Sequence, residues 1–529
     1  MTHEIDAATL KKWLSDGHEV ALLDVREHGQ YGEGHLFFAV PLPYSVFELR
    51  LSALVPNSDV RMVLYDNDDG VAGRAARRAS AIGFTNVHVL RGGAAGWAAA
   101  GGTLYAGVNV PSKAFGELVE LQRHTPHISA GQLQKMADAG ENMVIVDGRP
   151  FNEFQRVSIP GGLCCPNGEL ALRIDEIAPD PETTIVVNCA GRTRSIVGAQ
   201  TLIDLGISNP VVALENGTQG WTLAGLKVDN GATRRYPDAV RQDALVARRA
   251  RVRTLAESRG ARFVAAEEVS TWLEDETRTT YVIDVRTEEE FRASGSPLLL
   301  HAPGGQLIQA TDQWVGIRGA RLVLADSELV RAPVVAAWLR QLGHEAFVLV
   351  DGVDAANGLK MRKQLKPARP ERLPRIGGEE FKEYLDAAAV QIVDLRASMA
   401  YREGHFHNAE WSIRPRVDSL ALDKSRPVVL VADQPELAEL AAIDLREAGV
   451  VTIRLLDVPV ENWRAADLPL AATPAVPADS DCIDFLFFTH RRLVGDAEHS
   501  RQYLAWELGL VNQLDASERA AFNIVPPSI

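Results

Sequence analysis

The chain has 529 residues, of which 46% are hydrophobic, and it carries a net charge of −15 at pH 7. A chain of this length is expected to bury several separate cores, because a single hydrophobic core stops growing well below this size. The acidic balance argues against a nucleic-acid partner and against a membrane-surface role, both of which generally require a basic face.

The N-terminal segment MTHEIDAATLKKWL lacks the charged-then-apolar layout of a signal peptide. No apolar run of about 18 residues, the length needed to cross a membrane, occurs in the chain. Four cysteines are too few for a disulfide scaffold of this size. We therefore expect a cytoplasmic protein in which any reactive thiol works in a reducing compartment.

A strand-like run that ends in Asp-x-Arg occurs four times, as ALLDVRE, VIVDGRP, VIDVRTE and QIVDLRA. A second strand-like run and a corner follow each of them, as VLYDND, VVNCAG, VLADSE and VLVADQ. The aspartates Asp24, Asp147, Asp284 and Asp394 precede the corner residues Asp66, Cys189, Asp326 and Asp433 by 42, 42, 42 and 39 residues. A turn rich in glycine or tryptophan then ends at Trp97, Trp221, Gly358 and Trp463. This spacing indicates four homologous units.

Short β-branched runs alternate with helical segments inside each unit. In the second unit the runs MVIVD, TIVVN and PVVAL are separated by segments such as SIVGAQTLIDLG, which Gly206 is expected to end. This alternation predicts an α/β fold with parallel sheets flanked by helices. We expect four α/β domains at 1–105, 125–230, 260–365 and 375–472, and a helical C-terminal extension at 480–529.

The connecting segments carry their own predictions. Residues 106–126 mix helix formers with a Pro start and are expected to be partly ordered. Residues 227–262 include an arginine-rich helical stretch, which we interpret as a solvated helix face rather than a site that attracts anions. The Pro-rich segment 468–481 precedes HSRQYLAWELGLVNQL, whose apolar spacing predicts an amphipathic helix docked on the protein rather than on a membrane.

The corner of the second unit, IVVNCAGRTRS, places Cys189 between a predicted strand and a predicted helix. Ligands of parallel sheets bind beyond the carboxyl ends of the strands. A loop that leads into a helix directs backbone N–H groups and partial positive charge at an anion. Together with Arg192 and Arg194, this field is expected to hold more of Cys189 as thiolate, the form that attacks.

Other residues of this corner also suit a site. Ala190 and Gly191 are small enough to let a ligand approach the backbone. Thr193 and Ser195 could donate hydroxyl hydrogen bonds to the sulfur or to a bound anion, and Ser195 could instead cap the helix. A buried core cysteine is the usual fate of a lone thiol, but two arginines within the next five positions favour a reactive Cys189.

These residues resemble the rhodanese family of sulfurtransferases. The likeness extends over all four units through the Asp-x-Arg strand, the Gly-His pair of YGEGHL and YREGHF, the corner and the NGTQGW turn, and it is most specific at CAGRTRS, which looks like the family's active-site loop. The resemblance implies four rhodanese-like domains, each with a five-stranded parallel sheet, and no cofactor.

The resemblance also implies a reaction. The thiolate of Cys189 would take a sulfane sulfur from a donor such as thiosulfate, become a persulfide, and pass the sulfur to cyanide or a thiol in a ping-pong cycle. The backbone from Ala190 to Ser195 would cradle the persulfide, and Arg192 and Arg194 would hold a small anionic donor.

Three of the four corners depart from the family pattern. Asp66, Asp326 and Asp433 stand where the nucleophile belongs, and a carboxylate there would repel an anionic donor. We therefore expect these three units to be catalytically silent and structural. The second unit has FQRVSIPGG in place of the Gly-His pair.

The remaining candidates favour structural interpretations. Cys164 and Cys165 are expected to pack in a core, with a resolving thiol near Cys189 as the alternative. Cys482 is expected to be structural or incidental, and no cysteine pair or His cluster has metal-ligand spacing. His35 and His405 are interpreted as hydrogen-bonded turn residues, and the Asp-x-Arg pairs as an ion-paired framework.

Two other functions compete with sulfur transfer. A cysteine-dependent phosphatase needs five residues between its cysteine and its arginine, whereas four residues separate Cys189 from Arg194 here. This loop is therefore too tight for phosphate. A non-enzymatic persulfide carrier or regulatory sulfur-binding module stays open, because three corners lack the nucleophile. Within the sulfurtransferase hypothesis, the two arginines favour thiosulfate or another anionic donor, such as glutathione persulfide, over mercaptopyruvate.

Overall fold

The computed structural model describes residues 3–360, 370–464, 466, 468–487 and 496–526. Four five-stranded sheets follow one another along the chain, and they are built from parallel strand pairs. Within each sheet the strands, numbered by their own order in the chain, lie in the order first, fifth, fourth, second, third. The predicted α/β class, with parallel sheets flanked by helices, is confirmed.

The first sheet contains β1 (His3–Ile5), β2 (Val20–Asp24), β3 (Val40–Pro41), β4 (Arg61–Tyr65) and β5 (Val87–Leu90). Its helices are α1 (Ala7–Trp13), α2 (His28–Glu33), α3 (Phe47–Leu54), α4 (Val71–Ile82) and α5 (Gly93–Ala99), with a 3-10 helix at Tyr44–Val46.

The second sheet contains β6 (His127–Ile128), β7 (Met143–Asp147), β8 (Leu163–Cys164), β9 (Thr184–Asn188) and β10 (Val211–Leu214). Its helices are α6 (Val110–Arg123), α7 (Ala130–Asp138), α8 (Phe151–Arg156), α9 (Leu170–Ile177), α10 (Thr193–Asp204) and α11 (Gly217–Leu223). The helix predicted after Cys189 is α10, and Gly206 follows its end with φ +64°, as predicted. The connector at 106–126 supplies α6, which is a regular helix rather than a partly ordered segment.

Helix α12 (Gln242–Ser258) leads into the third sheet, which contains β11 (Arg262–Val264), β12 (Thr280–Asp284), β13 (Leu300–His301), β14 (Arg321–Ala325) and β15 (Glu345–Leu349). Its helices are α13 (Ala266–Glu274), α14 (Glu288–Ser294), α15 (Gly304–Gln309) and α16 (Arg331–Gln341), with 3-10 helices at Thr311–Gln313 and Gly352–Gly358.

The last part of the chain contains β16 (Arg375–Ile376), β17 (Gln391–Asp394), β18 (His405–Phe406), β19 (Ala409–Trp411), β20 (Val428–Val431), β21 (Ile453–Leu456) and β22 (Leu470–Ala471). Strands β18 and β22 pair antiparallel outside the fourth sheet. The helices are α17 (Gly378–Asp386), α18 (Ser398–Glu403), α19 (Pro435–Glu447), α20 (Ala497–Gln513) and α21 (Ala516–Arg519), with 3-10 helices at Arg414–Ser419, Val460–Asn462 and Asp479–Asp481. The predicted C-terminal helix is therefore confirmed as α20.

The chain divides into two compact units. One unit takes in the described residues of 1–10, 22–107 and 365–488, which include most of the first sheet and the fourth sheet. The other takes in the described residues of 11–21, 108–364 and 489–529, which include the second and third sheets and α20. The four domain boundaries expected from the sequence stay a prediction.

The second sheet is buried on both faces, which explains its continuous apolar runs. Ile185 and Val187 of β9 pack into one core and Val186, between them, packs into the core on the other face. Successive side chains of a strand point to opposite faces, so a strand covered on both sides needs apolar residues at every position. This packing holds β9 in the middle of the sheet, between β10 and β7.

The Asp-x-Arg pairs form an ion-paired framework in all four sheets, as predicted. The arginine Nη2 lies 2.5 to 2.7 Å from the aspartate Oδ2 in the pairs Asp24–Arg26, Asp147–Arg149, Asp284–Arg286 and Asp394–Arg396. Each pair is buried and follows the end of a strand. A buried ion pair with close geometry fixes the direction in which the chain leaves the sheet.

The histidines of the Gly-His pairs are hydrogen-bonded, as predicted, but they do not lie in turns, because His405 belongs to β18 and His35 forms an isolated antiparallel bridge with Tyr105. The Nδ1 atom of His35 lies 3.0 Å from the carbonyl oxygen of Tyr31, and that of His405 lies 2.7 Å from the carbonyl oxygen of Tyr401. Each imidazole stacks on the same tyrosine ring. Burial lowers the pKa of His35 to about 3, so this ring is neutral at ordinary pH.

The arginine-rich helix α12 is only partly the solvated face that its sequence predicts. Arg249 and Arg253 are exposed, but Arg248 is buried. The guanidinium of Arg248 donates to Asp175 at 2.8 Å and to Glu176 at 2.7 Å. The prediction is wrong for Arg248, because two carboxylates near the end of α9 satisfy its charge inside the protein. In the part of the chain that is described, no helix is both long and apolar enough to span a membrane.

Candidate active site

Cys189 lies directly after the central strand β9, and α10 begins at Thr193, so the corner between them is very short. The Cys189 side chain is enclosed, with the residue 2% exposed. Among the described residues, the N–H groups of Ala190 and Gly191 donate no hydrogen bond to the protein. Free N–H groups next to a helix N-terminus form a concavity that suits an anion.

The turn before α11 holds this loop from behind. The N–H and the hydroxyl of Thr218 donate to the carbonyl oxygen of Cys189 at 2.8 and 3.1 Å, and the N–H of Gln219 donates to that of Ala190 at 3.0 Å. Gly217 has φ +53°, and a Cβ there would lie 2.3 Å from the carbonyl oxygen of Cys189. The glycine of the NGTQGW turn is therefore required by close approach to the Cys189 loop.

The base of the loop is tied to the Asp-x-Arg pair of the same sheet. The amide of Asn188 donates to the carboxylate of Asp147 at 2.8 Å and to the hydroxyl of Thr218 at 3.3 Å. Because all three side chains are buried, these bonds fix the end of β9 immediately before Cys189.

Arg192 is held by carboxylates of α6 rather than projecting freely. Its Nε donates to Glu117 at 2.7 Å, its Nη2 donates to Glu117 at 2.9 Å and also to Glu120, and its Nη1 donates to Asn216 at 3.3 Å. Burial disfavours the charged guanidinium, but the hydrogen bond and charge of Glu117 outweigh it and raise the pKa of Arg192. Burial also raises the pKa of Glu117, and Arg192 opposes that shift.

Arg194 is the arginine whose charge acts on the cysteine. It forms a bidentate pair with Glu153, with N–O distances of 2.9 and 2.8 Å. Burial alone would lower the pKa of Arg194, but the charge of Glu153, followed by that of Cys189, raises it above its usual value. The charge of Arg194 therefore lies close enough to Cys189 for the two groups to interact.

The two hydroxyl residues of the corner have protein partners. Thr193 donates to Glu507 at 2.9 Å, and Ser195 donates to the carbonyl oxygen of Arg192 at 2.8 Å. The interpretation of Ser195 as a helix cap is wrong, because the cap position is Arg192 and Ser195 lies in the first turn of α10.

Two helices outside the corner complete the site, and neither was assigned to it from the sequence. Helix α6 approaches so closely that a Cβ on Gly116 would lie 2.8 Å from Cγ2 of Thr193. Helix α20 packs on α6 and places Tyr503 and Glu507 beside the loop. The ammonium of Lys113 on α6 donates to the hydroxyl of Tyr503 and lies 4.8 Å from the ring centroid of Trp506. The amphipathic pattern predicted α20 but not where it docks.

The equivalent corners of the first and third sheets are filled by their own aspartates. The carboxylate of Asp66 accepts from the N–H groups of Asp68 and Ala72, both at 2.9 Å. The carboxylate of Asp326 accepts from the N–H groups of Val330 and Arg331, both at 3.1 Å. In the fourth sheet the side chain of Asp433 is exposed instead.

The other cysteines do not belong to this loop, and they are buried. Cys164 and Cys165 are buried at the end of β8, and the Cys164 thiol donates to the carbonyl oxygen of Arg149 at 3.4 Å. Burial raises the pKa of Cys164 to about 12 and raises that of Cys165 well above its usual value. Both are therefore core thiols, which agrees with the packing interpretation. Cys482 is also buried.

A cleft of 550 Å³ lies beside Glu153, between elements of the second and third sheets. Its lining includes Phe151, Cys164, Tyr236, Arg286 and Trp314. Among the described residues, no group of three or more His, Cys, Asp or Glu side chains is placed to hold a metal ion.

Comparisons with known proteins give one consistent result. The model of the rhodanese-like domain family matches residues 6–100 and 129–224, which contain four of the five strands of the first sheet and four of the five strands of the second. A crystal structure of thiosulfate sulfurtransferase from Pseudomonas aeruginosa is similar over 99% of this chain and 100% of that chain, with 39% identity and a TM-score of 0.90.

Two curated relatives match shorter stretches. A sulfurtransferase from Allochromatium vinosum is 31% identical over 98 residues, which are 18% of this chain and 90% of the relative. An HTH-type transcriptional regulator from Mycobacterium tuberculosis is 36% identical over 105 residues, which are 20% of this chain and 45% of the relative. The chain thus matches less than half of that regulator's length.

Proposed function

We propose that this chain, which belongs to the rhodanese-like domain family, is a sulfurtransferase that carries a sulfane sulfur as a persulfide on Cys189. The observation that supports this most directly is the Cys189 corner, where a thiol, free N–H groups and the charge of Arg194 meet at the end of the central strand. This is the arrangement that a thiolate nucleophile needs, because it stabilises negative charge on sulfur.

In the first half of the reaction, the Cys189 thiolate attacks the outer sulfur of the donor. With thiosulfate, a bond forms between Sγ and the outer sulfur, and the original sulfur–sulfur bond breaks. Sulfite leaves with the electron pair of that bond, and Cys189 holds the sulfur as a persulfide anion. The N–H groups of Ala190 and Gly191 and the charge of Arg194 stabilise this anion.

In the second half, cyanide or a thiol attacks the terminal sulfur. The bond to Sγ breaks, its electron pair stays on Sγ, and the thiolate is ready for another donor.

Thiosulfate or a related anionic donor, such as glutathione persulfide, is the donor we propose. The Pseudomonas aeruginosa protein of similar structure is a thiosulfate sulfurtransferase, which supports thiosulfate as the first donor to try. Both arginines of the corner are paired with glutamates. We assign Arg192 to anchoring the loop, Arg194 to stabilising the persulfide, and both to attracting the donor.

Steady-state transfer of sulfur from thiosulfate to cyanide by the purified full chain tests this function. We expect turnover in the wild type and in a Cys482→Ser control, and none in Cys189→Ser. Loading of sulfur without turnover would support the persulfide carrier instead. Turnover that survives in Cys189→Ser would contradict the assignment of the nucleophile.

A further inference from the structure

Helix α20 brings a buried carboxylate to the rim of the Cys189 loop. Glu507 is only 2% exposed, although it belongs to a C-terminal helix far from the corner in sequence. One of its oxygens, Oε1, accepts the hydroxyl hydrogen bond of Thr193 at 2.9 Å. The carboxylate is therefore fixed in place on the residue that begins α10.

The other oxygen of Glu507 has no hydrogen-bond partner among the described residues. It lies 3.2 Å from the point where Gly191 would carry a Cβ. Nε2 of Gln219 lies 3.4 Å from the same point, and both polar atoms of that amide are also buried and unpartnered in the described part of the chain. A buried carboxylate oxygen without a donor is costly, so it indicates a polar ligand in this space.

Because residue 191 is a glycine, no side-chain atom of the loop stands in the narrow gap between Oε2 of Glu507 and Nε2 of Gln219. The ring of Tyr503 closes it on the side of α20, at 3.8 Å from the same point. A group that enters here would touch both the loop two residues after Cys189 and the open oxygen of Glu507.

The charges that face Glu507 come from α6 and from the loop. The charge of Glu507 contributes to raising the pKa of Glu117 and that of Arg192. Lys113 lies on the side of Tyr503, with its ammonium 4.6 Å from that ring centroid. The charged neighbours of Glu507 thus include the carboxylate of Glu117 and the guanidinium of Arg192. Among the described residues, Oε2 of Glu507 forms a hydrogen bond with neither of them.

We propose that Glu507 accepts the proton of a thiol acceptor in the second half of the reaction, an inference that rests on the sulfurtransferase function proposed above. The acceptor class is then a neutral thiol, which donates its S–H to Oε2 and gains nucleophilicity as the proton leaves. Gln219 is assigned to orienting the polar part of the acceptor.

In this step the thiol proton moves to Oε2 of Glu507, and the thiol sulfur forms a bond with the terminal sulfur of the Cys189 persulfide anion. The bond between that sulfur and Sγ breaks, and its electron pair stays on Sγ. The products are the acceptor persulfide anion, the Cys189 thiolate and a protonated Glu507, which returns its proton to water.

Glu507→Gln tests the proposal, because glutamine keeps an oxygen for Thr193 but cannot take a proton. Glu498→Gln, on an exposed position of the same helix, is the matched control. Each half-reaction is followed separately in the full chain, by the rate of persulfide formation from thiosulfate and by the rate of its loss to an acceptor. Two acceptors are compared at pH 7: an alkyl thiol, which is mostly protonated there, and thionitrobenzoate, which is already ionised.

We expect Glu507→Gln to form the persulfide within twofold of the wild-type rate. We expect it to transfer sulfur to the alkyl thiol about 10- to 100-fold more slowly at pH 7. General bases usually contribute about 100-fold or more, so this is a modest effect for the loss of one. The deficit should vanish with thionitrobenzoate, and it should shrink as the pH rises through the pKa of the alkyl thiol. Glu498→Gln should match the wild type.

Two results would overturn the inference alone: normal persulfide formation with unchanged transfer to the alkyl thiol, or transfer slowed equally for both acceptors at every pH. The second result would assign Glu507 a merely structural role. If the wild type forms no persulfide from thiosulfate or from glutathione persulfide, the proposed function itself is wrong, and this inference falls with it.

Discussion

Single residues decide the chemistry of the Cys189 corner, and its two arginines differ in what they contact. Arg192 is bound by Glu117, Glu120 and Asn216, whereas Arg194 pairs with Glu153 and has the charge of Cys189 among the causes of its raised pKa. We therefore assign electrostatic stabilisation of the sulfur to Arg194 and anchoring of the loop on α6 to Arg192.

Replacing each arginine by glutamine should separate these roles. Arg194→Gln is expected to slow persulfide formation about 10- to 100-fold, because one preorganised charge near the reacting atom is lost. Arg192→Gln should slow it less, but it should lower the free energy of unfolding around the second sheet by about 3 kcal/mol, since Glu117 is left buried without its partner. Stopped-flow loading and urea denaturation measure the two effects; equal rates in both variants would contradict the assignment.

His35 provides a test of pH dependence in the other unit. Its pKa is about 3 in the folded protein and about 6.5 in an unfolded chain. The unfolded state therefore binds more protons below pH 6.5, so stability is lost as the pH falls from 6.5 towards 3.

His35→Ser should remove this dependence, because serine does not titrate in this range. Serine is the replacement because Ser158 follows Asp147 in the second unit by the same number of residues as His35 follows Asp24. Between pH 7 and pH 5, we expect the wild type to lose about 2 kcal/mol more than the variant. Calorimetric scans at the two pH values measure the difference. Parallel losses in both proteins would show that His35 is protonated in the folded state.

Sequence reasoning at the residue scale singled out Cys189 and the two arginines as candidates, but none of the glutamates around them. Cys189, Arg192 and Arg194 lie within one short motif, so their spacing carries a signal. Glu117 lies 75 positions from Arg192, and Glu507 lies 314 positions from Thr193. No local pattern marks such pairs, because tertiary packing alone brings them together.

At the scale of elements, α20 shows how a helix outside the repeats can belong to the site. Its buried residues include Tyr503, Leu504, Leu510 and Val511, and it packs on α6 and α11. Amphipathic spacing was enough to predict the helix. The surface it covers could not be predicted, because that surface is made by α6, which was expected to be only a partly ordered connector.

Two leucines of α20 form a matched pair for measuring this packing. Leu510→Ala is expected to lower the free energy of unfolding by about 2–4 kcal/mol, since Leu510 is 0% exposed and its removal leaves a cavity. Leu508→Ala should change it by less than about 0.5 kcal/mol, because Leu508 is 51% exposed. Chemical denaturation of the full chain distinguishes them. Equal effects would show that α20 does not dock as described.

At the scale of the whole molecule, four sheets share one strand order, and only the second carries a cysteine at the corner after its central strand. The sheets could be predicted from the repeated Asp-x-Arg spacing, since a repeat is visible without knowledge of contacts. The division into two compact units, each with two sheets, could not. It depends on long-range pairs such as Arg414 with Glu48 in one unit and Arg331 with Glu169 in the other.

We propose that the corners of Asp66 and Asp326 are catalytically silent. Each aspartate accepts hydrogen bonds from two N–H groups near its own corner, and its negative charge would repel a sulfur anion or an anionic donor. The second unit of the repeat differs because it carries a thiol at this position, that of Cys189, in place of a carboxylate.

The number and position of sulfur atoms bound per chain test the central claim most directly. Intact-protein mass spectrometry after incubation with thiosulfate, followed by peptide mapping, gives both. We expect a gain of one sulfur atom per chain, located on Cys189 and abolished in Cys189→Ser. Sulfur on Cys164, Cys165 or Cys482, or a gain that persists in Cys189→Ser, would contradict the account.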